Sequence, residues 1–155
     1  MASRKNKYPD TKWFKYYNAN PRGRITGDCS FRAICTGLNQ DYNKTVMEMA
    51  EMMCKTGYAL NDTKGENSYI ESKGWVKHSQ PKKDDNTKYT GKEFVDWLNK
   101  YSSGGEYGRV IAHIGGHHTI AIVPEFDSKS GWLKYKINDI WDSSDGCIGN
   151  WYSEI

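Results

Sequence analysis

The chain has 155 residues, the length of a single domain that is large enough to bury its own hydrophobic core. It contains no apolar run of membrane-spanning length, and its polar, basic beginning lacks the apolar segment of a secretory signal, so we expect a cytoplasmic protein with no membrane partner. The net charge is only +3, but residues 1–25 hold seven Lys or Arg and one Asp. The basic character therefore lies at the N-terminal end, where we place an arm formed by residues 1–17.

Aromatic residues and cysteines narrow the protein class. Aromatics make up 14% of the chain, with eleven Tyr and six Trp, a composition that favours a fold with a β-sheet over a helical bundle. The four cysteines are Cys29, Cys35, Cys54 and Cys147. They are too few for a disulfide-stapled secreted protein and include no CxxC pair, so we expect reduced thiols.

The N-terminal arm allows two interpretations. Residues 1–7 are predicted to be a loose basic tail, and residues 11–17 then interleave cations with aromatic side chains. Such a run is typical either of a nucleic-acid groove or of a strand that packs over the domain. A short basic stretch without a wider motif favours the strand, so nucleic acid is not an expected partner. Residues 18–24 are rich in turn formers and lead to the first long helix.

The first long helix is predicted to begin near Thr26 or Asp28 and to end at Gly37, because these residue types are common at helix ends. It has two distinct stripes. The core-facing stripe consists of Phe31, Ile34, Cys35 and Leu38, at the spacing of one helix face. The other stripe consists of the small residues Cys29, Ala33 and Thr36. A second surface or a substrate could therefore approach the thiol of Cys29.

Three more helices follow. Asp41 is predicted to cap the second, which Gly57 ends and whose buried stripe would be Tyr42, Val46, Met49, Ala50 and Met53. The third is predicted over residues 68–73, with Trp75 and Val76 as a buried anchor behind it and a surface loop at residues 79–88. Thr90 and Glu93 have the spacing of a capping box. The fourth helix that they open would bury Phe94, Trp97, Leu98 and Tyr101.

After Gly104 and Gly105 the pattern changes from helical to strand-like. Strands are predicted over residues 109–114, 119–123, 133–140 and 148–152, with the first two forming an antiparallel pair. Helices followed by a β-meander are typical of an α+β domain with segregated layers. We therefore predict one domain over residues 1–155, in which N-terminal helices pack on a C-terminal antiparallel sheet.

Cys29 lies where a thiol could become a nucleophile. A helix N-terminus favours the reactive thiolate through its unpaired N–H groups and its dipole. The neighbouring carboxylate of Asp28 would oppose ionisation, so we expect it to turn away, either to cap the helix or to pair with Arg32 at i+4. On position alone, a structural role for this cysteine is the more common one.

A thiolate enzyme also needs an imidazole that exchanges the proton and a polar group that orients the ring. His118 begins an apolar strand directly after two glycines, and Asp139 follows a neighbouring strand. The sequence thus predicts a Cys29, His118, Asp139 triad, which geometry must test. His117 competes with His118 and Asn138 competes with Asp139, because adjacent strand residues point to opposite faces.

The remaining histidines are expected to have no catalytic role. His113 alternates within a strand and is expected to be packed or exposed, and His78 is expected in a loop. A zinc site formed by His113, His117 and Cys147 would match no established ligand spacing. We expect neither a metal nor a cofactor.

Three sequence blocks carry a resemblance to known families. They are residues 18–34 around Cys29, residues 116–123 around His118, and residues 139–144 from Asp139. With the triad in this order, the chain resembles the papain-like cysteine peptidase superfamily. The block Gly-Asp-Cys-Ser-Phe-Arg-Ala at residues 27–33 is also similar to the cysteine motif of ovarian-tumour-type deubiquitinases. All three blocks resemble a group of small proteins from bacteriophages and Gram-positive bacteria.

The resemblance implies a papain-like fold, a thiol protease activity with this catalytic triad, and a protein or peptide substrate. If the protein is phage-encoded, its location would be the cytoplasm of the host cell. In papain a glutamine six residues before the cysteine helps to bind the oxyanion, whereas this chain has Gly23 there. Asn18 or Asn20 is expected to substitute through a side-chain N–H, with the backbone N–H of Cys29 as the second donor.

Two alternatives to a hydrolase remain open. The same triad could transfer the acyl group to an amine instead of water, since both reactions share a thioester intermediate. Alternatively, the chain could be a phage-encoded binding protein that keeps the fold without catalysis and engages a host or virion protein through its basic arm and aromatic surface.

Overall fold

The computed structural model describes residues 3–101 and 106–155 of the protein. Within these ranges, helices and strands follow one another as α1 (Arg4–Lys7), β1 (Phe14–Tyr16), α2 (Cys29–Leu38), α3 (Tyr42–Thr56), α4 (Thr63–Ser72), β2 (Val76–His78), α5 (Gly91–Tyr101), β3 (Val110–Ile114), β4 (His118–Asp127), β5 (Trp132–Asp139) and β6 (Ile148–Ser153). The predicted boundary at Gly104 and Gly105 lies outside the described residues. No helix in the described ranges has both the length and the apolar character needed to cross a membrane.

The strands form one six-stranded mixed sheet in the order β1-β5-β4-β3-β6-β2. Strand β1 runs parallel to β5, and the other neighbours are antiparallel. The α+β class is confirmed, but the predicted meander holds only for β3, β4 and β5. Strand β6 crosses back to pair with β3, and the two outer strands come from the N-terminal half of the chain.

Two hydrophobic clusters cover opposite faces of the sheet, because alternate strand residues point to opposite sides. One cluster joins α5 and β1 to the strands through residues such as Phe14, Phe94 and Ala112. The other joins α2, α3 and α4 to the sheet through Ile34, Met49 and residues around them. Helix α2 thus lies with its N-terminus near one end of the central strands.

Most predicted helix ends are confirmed, but α2 continues through Gly37 to Leu38, and its left-handed C-cap is Asn39. Asp41 accepts a hydrogen bond from the backbone N–H of Lys44, and Gly57 ends α3 in the left-handed conformation. Thr90 and Glu93 form the reciprocal bonds of a capping box, at 3.1 and 3.2 Å. Helix α4 begins five residues earlier than predicted. Its cap is Asp62, whose carboxylate accepts from the N–H of Lys64.

The buried stripes of three helices differ from the prediction. Met53 and Tyr101 are exposed, because both lie near the C-terminal ends of their helices. In α2, Arg32 and Ala33 are buried while Phe31 and Leu38 are only half-buried. Helix α2 is covered by both the sheet and α3, so one stripe does not describe its buried surface.

The N-terminal arm is part of the fold. The prediction of a loose tail is wrong for the described part of that segment, since residues from Arg4 form α1, capped by Ser3. The Arg4 side chain donates to the backbone oxygen of Ile140 at 2.7 Å. The strand interpretation of residues 11–17 is confirmed by β1, in which Phe14 is fully buried. The arm therefore packs beside β5, the strand that ends at Asp139.

Strand β2 corrects two further predictions. His78 was expected in a loop, but it belongs to β2 and pairs with Trp151 of β6. The two rings stack, with their centroids 3.8 Å apart. Val76 is 46% exposed instead of a buried anchor. The reason is that β2 is an edge strand, where one side lacks a neighbour to cover it.

Candidate active site

Chain topology brings three distant residues to one end of the sheet. Cys29 is the first residue of α2, His118 is the first of β4, and Asp139 is the last of β5. Because β4 and β5 are adjacent and antiparallel, the beginning of one strand lies beside the end of the other. The N-terminus of α2 reaches the same place.

His118 and Asp139 form a short contact. The Nε2 atom of His118 lies 2.5 Å from Oδ2 of Asp139, and both side chains are largely buried. The other carboxylate oxygen, Oδ1, accepts from Nη1 of Arg32 at 2.6 Å and from the backbone N–H of Ile140 at 2.7 Å. These donors hold the carboxylate so that Oδ2 faces the ring.

The same imidazole interacts with the thiol of Cys29. This interaction with His118 lowers the pKa of Cys29 against the opposing effect of burial, and the backbone N–H of Thr119 lowers it further. Burial acts to lower the pKa of His118, but the hydrogen bonds to Asp139 and Cys29 outweigh it and raise the pKa to about 9. Since Nε2 faces Asp139, Nδ1 is the nitrogen available to the sulfur. The environment favours thiolate and imidazolium together.

Asp28 pairs with Arg32, one of the two arrangements expected from the sequence. Its Oδ1 accepts from Nε of Arg32 at 2.7 Å, while Oδ2 accepts from the Tyr42 hydroxyl and from Asn20. Burial acts to raise the pKa of Asp28, but these hydrogen bonds prevail and lower it. Asp28 makes no side-chain cap on α2. Its charge is therefore bound to a guanidinium and turned away from the thiol.

The two expected oxyanion donors lie in the loop before α2. The Nδ2 atom of Asn18 donates to the backbone oxygen of Arg24 at 3.2 Å, and that of Asn20 donates to Asp28 at 3.0 Å. Each amide thus uses one N–H to hold this loop. The backbone N–H of Cys29 belongs to the first turn of a helix, where no i−4 carbonyl is present to accept from it.

The residues weighed as alternatives lie elsewhere. His117 is exposed in the turn between β3 and β4, and the buried Asn138 donates to the Lys136 carbonyl at 3.0 Å. Cys35 is buried, which raises its pKa to about 11. In residues 3–101 and 106–155, no group of three or more His, Cys, Asp or Glu side chains is placed to hold a metal ion.

A second polar cluster beside the thiol was missed in the sequence. The hydroxyl of Thr119 donates to Oε1 of the buried Glu66 at 3.0 Å, and His113 packs 3.9 Å from the other carboxylate oxygen. Burial lowers the pKa of His113. Because α4 was predicted to begin after Glu66, this carboxylate was not expected to reach the sheet.

The site can generate a nucleophile and exchange a proton with it. A thiolate, an adjacent imidazolium and a carboxylate behind the ring are the groups required for nucleophilic catalysis through a covalent intermediate. Comparisons of the chain with protein-family models, curated proteins and solved structures found no match. The geometry around Cys29 therefore carries the functional argument.

Proposed function

We propose that the protein is a cysteine hydrolase of papain-like α+β fold that cleaves an amide or isopeptide bond in a protein or peptide. The supporting observation is that His118 acts on both partners: it lowers the pKa of Cys29, and its Nε2 lies 2.5 Å from Oδ2 of Asp139. Each of the three residues has the chemical type and position required by its role. The four cysteines are free thiols, which suits the reducing conditions of a cytoplasm.

Acylation follows from the protonation states of the pair. The thiolate of Cys29 attacks the carbonyl carbon, forming a C–S bond and moving charge onto the carbonyl oxygen. The imidazolium of His118 then gives its proton to the leaving nitrogen, and the C–N bond breaks. The products of this step are a thioester on Cys29 and a free amine.

Deacylation reverses the proton transfer. Neutral His118 takes a proton from water, whose oxygen attacks the thioester carbon. The C–S bond breaks, which releases a carboxylic acid and restores the thiolate beside a protonated ring. Asp139 stabilises the imidazolium and keeps Nε2 engaged, so that Nδ1 faces the reacting atoms.

The developing oxyanion needs fixed donors. The backbone N–H of Cys29 is suited to this role because it lies at the positive end of α2. A second donor would come from the remaining amide N–H of Asn18 or Asn20. We favour Asn20 as this second donor, since its hydrogen bond to Asp28 holds it next to the residue that precedes Cys29.

Thiol labelling tests this proposal without knowledge of the substrate. Native protein treated with substoichiometric iodoacetamide at neutral pH should be alkylated first at Cys29, because its pKa is lowered, and mass mapping would identify the site. The His118→Ala variant should lose this preference, since the bond that lowers the thiol pKa is gone. His117→Ala, which removes an adjacent exposed ring, is the matched control and should label as the parent does.

Labelling of the exposed cysteines shows which result would contradict the proposal. Cys54 and Cys147 are accessible to reagent, so accessibility alone would favour them over the partly buried Cys29. Equal labelling of these three thiols, or a Cys29 rate unchanged by His118→Ala, would rule out an activated thiol and with it the proposed hydrolase.

A further inference from the structure

A small cavity lies beside His118. Its volume is about 220 Å³, and its lining includes His118, Trp141, Asp142, Ser143 and Asp145, whereas Cys29 is not part of the lining. The ring centroids of His118 and Trp141 are 4.9 Å apart. One wall of the cavity is therefore the imidazole that would protonate a leaving group.

Ser143 gives this cavity an unmatched polar group. The residue is 6% exposed, and its hydroxyl is one of two buried side-chain polar atoms in the described part of the chain that have no hydrogen-bond partner. Burying a hydroxyl without a partner is unfavourable, so native proteins seldom keep one without a reason. A ligand group that bonds to Ser143 would remove this cost.

The ionisable groups of the cavity, other than the ring, are acidic. Asp142 uses Oδ1 to accept from the backbone N–H of Ser144 at 3.0 Å, which fixes the carboxylate at the wall. Asp145 is 89% exposed and pairs with Lys92 at 3.0 Å, and such exposed pairs are weak. Trp141 adds an aromatic surface that can attract a cation.

We infer that this cavity receives the leaving group and selects an amine that carries a second, cationic group, such as a basic residue directly after the cleaved bond. The inference rests on the proposed hydrolase function. The leaving nitrogen must reach His118 to be protonated, so the atoms attached to it extend into the space beside the ring. There a guanidinium or ammonium group would bond to Asp142 and Ser143, and the volume suits one side chain.

Acyl transfer to added amines reads out this subsite directly. An amine that attacks the thioester on Cys29 follows the leaving-group path in reverse. Its nitrogen bonds to the thioester carbon, His118 takes its proton, and the C–S bond breaks to restore the thiolate. Amines that bind well in the cavity should therefore capture more of the acyl group than amines that do not.

The experiment acylates the full-length protein with a p-nitrophenyl ester and supplies argininamide and citrullinamide in equal amounts. These amines are nearly isosteric, but only the arginine side chain is charged. Release of p-nitrophenolate measures acylation, and product analysis measures capture by each amine. We expect capture of argininamide to exceed that of citrullinamide by about tenfold, as one charge-assisted contact would give.

Variants locate the source of the preference. Asp142→Asn should bring the ratio of the two products close to one, and Ser143→Ala should lower it partly. Asp84→Asn removes an exposed carboxylate from the loop at residues 79–88 and should leave both acylation and the ratio unchanged. The ratio is internal to each sample, so it does not depend on the fraction of correctly folded variant.

The outcomes separate the two proposals. No p-nitrophenolate burst above that of Cys29→Ala would refute the hydrolase itself. A burst followed by equal capture of the two amines, or by transfer to water alone, would overturn the cationic subsite and leave the hydrolase standing. A preference for argininamide that persists in both Asp142→Asn and Ser143→Ala would also overturn the cationic subsite. If neither variant folds, the product ratio of the parent protein alone decides.

Discussion

For single residues, the reactivity of Cys29 depends on the protonation of its neighbour. The hydrogen bond from His118 stabilises the thiolate, while Asp139 stabilises the imidazolium. Glu66 acts in the opposite direction, since its negative charge raises the pKa of Cys29. The lowered pKa of the thiol shows that the contribution of His118 prevails over both burial and Glu66.

Turnover should follow a bell-shaped pH profile. On the acid side it falls as pH drops through the lowered pKa of Cys29, because the thiolate is protonated. On the alkaline side it falls as pH rises through about 9, the pKa of His118, because the leaving group then receives no proton. A pH–rate series of ester cleavage with a poor leaving group measures both limbs.

Asp139→Asn provides the comparison for that profile. Asparagine can still accept a hydrogen bond from the ring, but the negative charge that helps to raise the pKa of His118 is lost, so the alkaline limb should move to lower pH. A profile that rises once, near the ordinary thiol pKa of about 8.5, would contradict the ion pair.

Between elements, Arg32 joins helix α2 to strand β5. Its guanidinium reaches Asp28 on its own helix and Asp139 on the strand, with side-chain exposures of 7% or less for all three residues. Burial acts to lower the pKa of Arg32, but the two carboxylates raise it. Arg32 therefore stays charged, and its ion pairs hold α2 against β5, the strand that carries Asp139.

Arg32→Met should strongly destabilise the protein. It leaves two buried carboxylates without their cation, and removing one partner of a buried pair costs about 3–5 kcal/mol. Urea unfolding of the variant measures this loss. The control is Lys44→Met. The Lys44 side chain is 61% exposed in its pair with Glu48, so this substitution should change the free energy of unfolding by no more than about 0.5 kcal/mol. Similar stability for both variants would show that Arg32 does not hold α2 to β5.

Across the whole molecule, the distance between α2 and the sheet sets the position of the thiol. At Gly37 the helix approaches so closely that a Cβ atom would lie 2.4 Å from Cγ1 of Ile111. Ile111 is itself buried, so its side chain has little room to move. A larger residue at this point would push the helix away from β3.

Gly37→Ala should therefore destabilise the fold by about 1–3 kcal/mol, the usual cost of overpacking, despite the better helix propensity of alanine. It should also slow alkylation of Cys29 at the other end of α2. Gly149→Ala is a matched control, because its Cβ would meet only His113 at an ordinary 3.5 Å. Thermal unfolding and labelling rates of both variants make the comparison, and an unaffected Gly37→Ala would contradict the tight docking of α2.

The packed arm changes how a binding role could be tested. Deleting residues 1–17 would remove the buried Phe14 and a strand paired with β5, so loss of a biological effect would not separate binding from unfolding. Cys29→Ala is the cleaner test, since it removes the nucleophile and leaves the arm in place.

Local signals in the sequence predicted both ends of α3 and the start of α5. The capping groups of Asp41 and of the pair Thr90 and Glu93 act on backbone atoms within three residues, so their meaning does not depend on the rest of the fold. The richness in Val and Ile likewise predicted β3 and β4, because strands that are covered on both faces carry nearly continuous apolar runs. The order of Cys29, His118 and Asp139 along the chain could be read from the same signals.

Contacts between distant segments required the folded structure. Arg32 and Asp139 are 107 positions apart. Strand β1 was expected within residues 11–17, but its pairing with β5 was not, and β2 has only three residues, too few to produce a periodic pattern. The same holds for the orphaned hydroxyl of Ser143, whose isolation depends on what packs around it. The pattern of apolar residues in the sequence determines which face of each segment prefers burial. Which segments become neighbours depends on the packing of the whole chain. That packing therefore also decides which buried polar groups find partners.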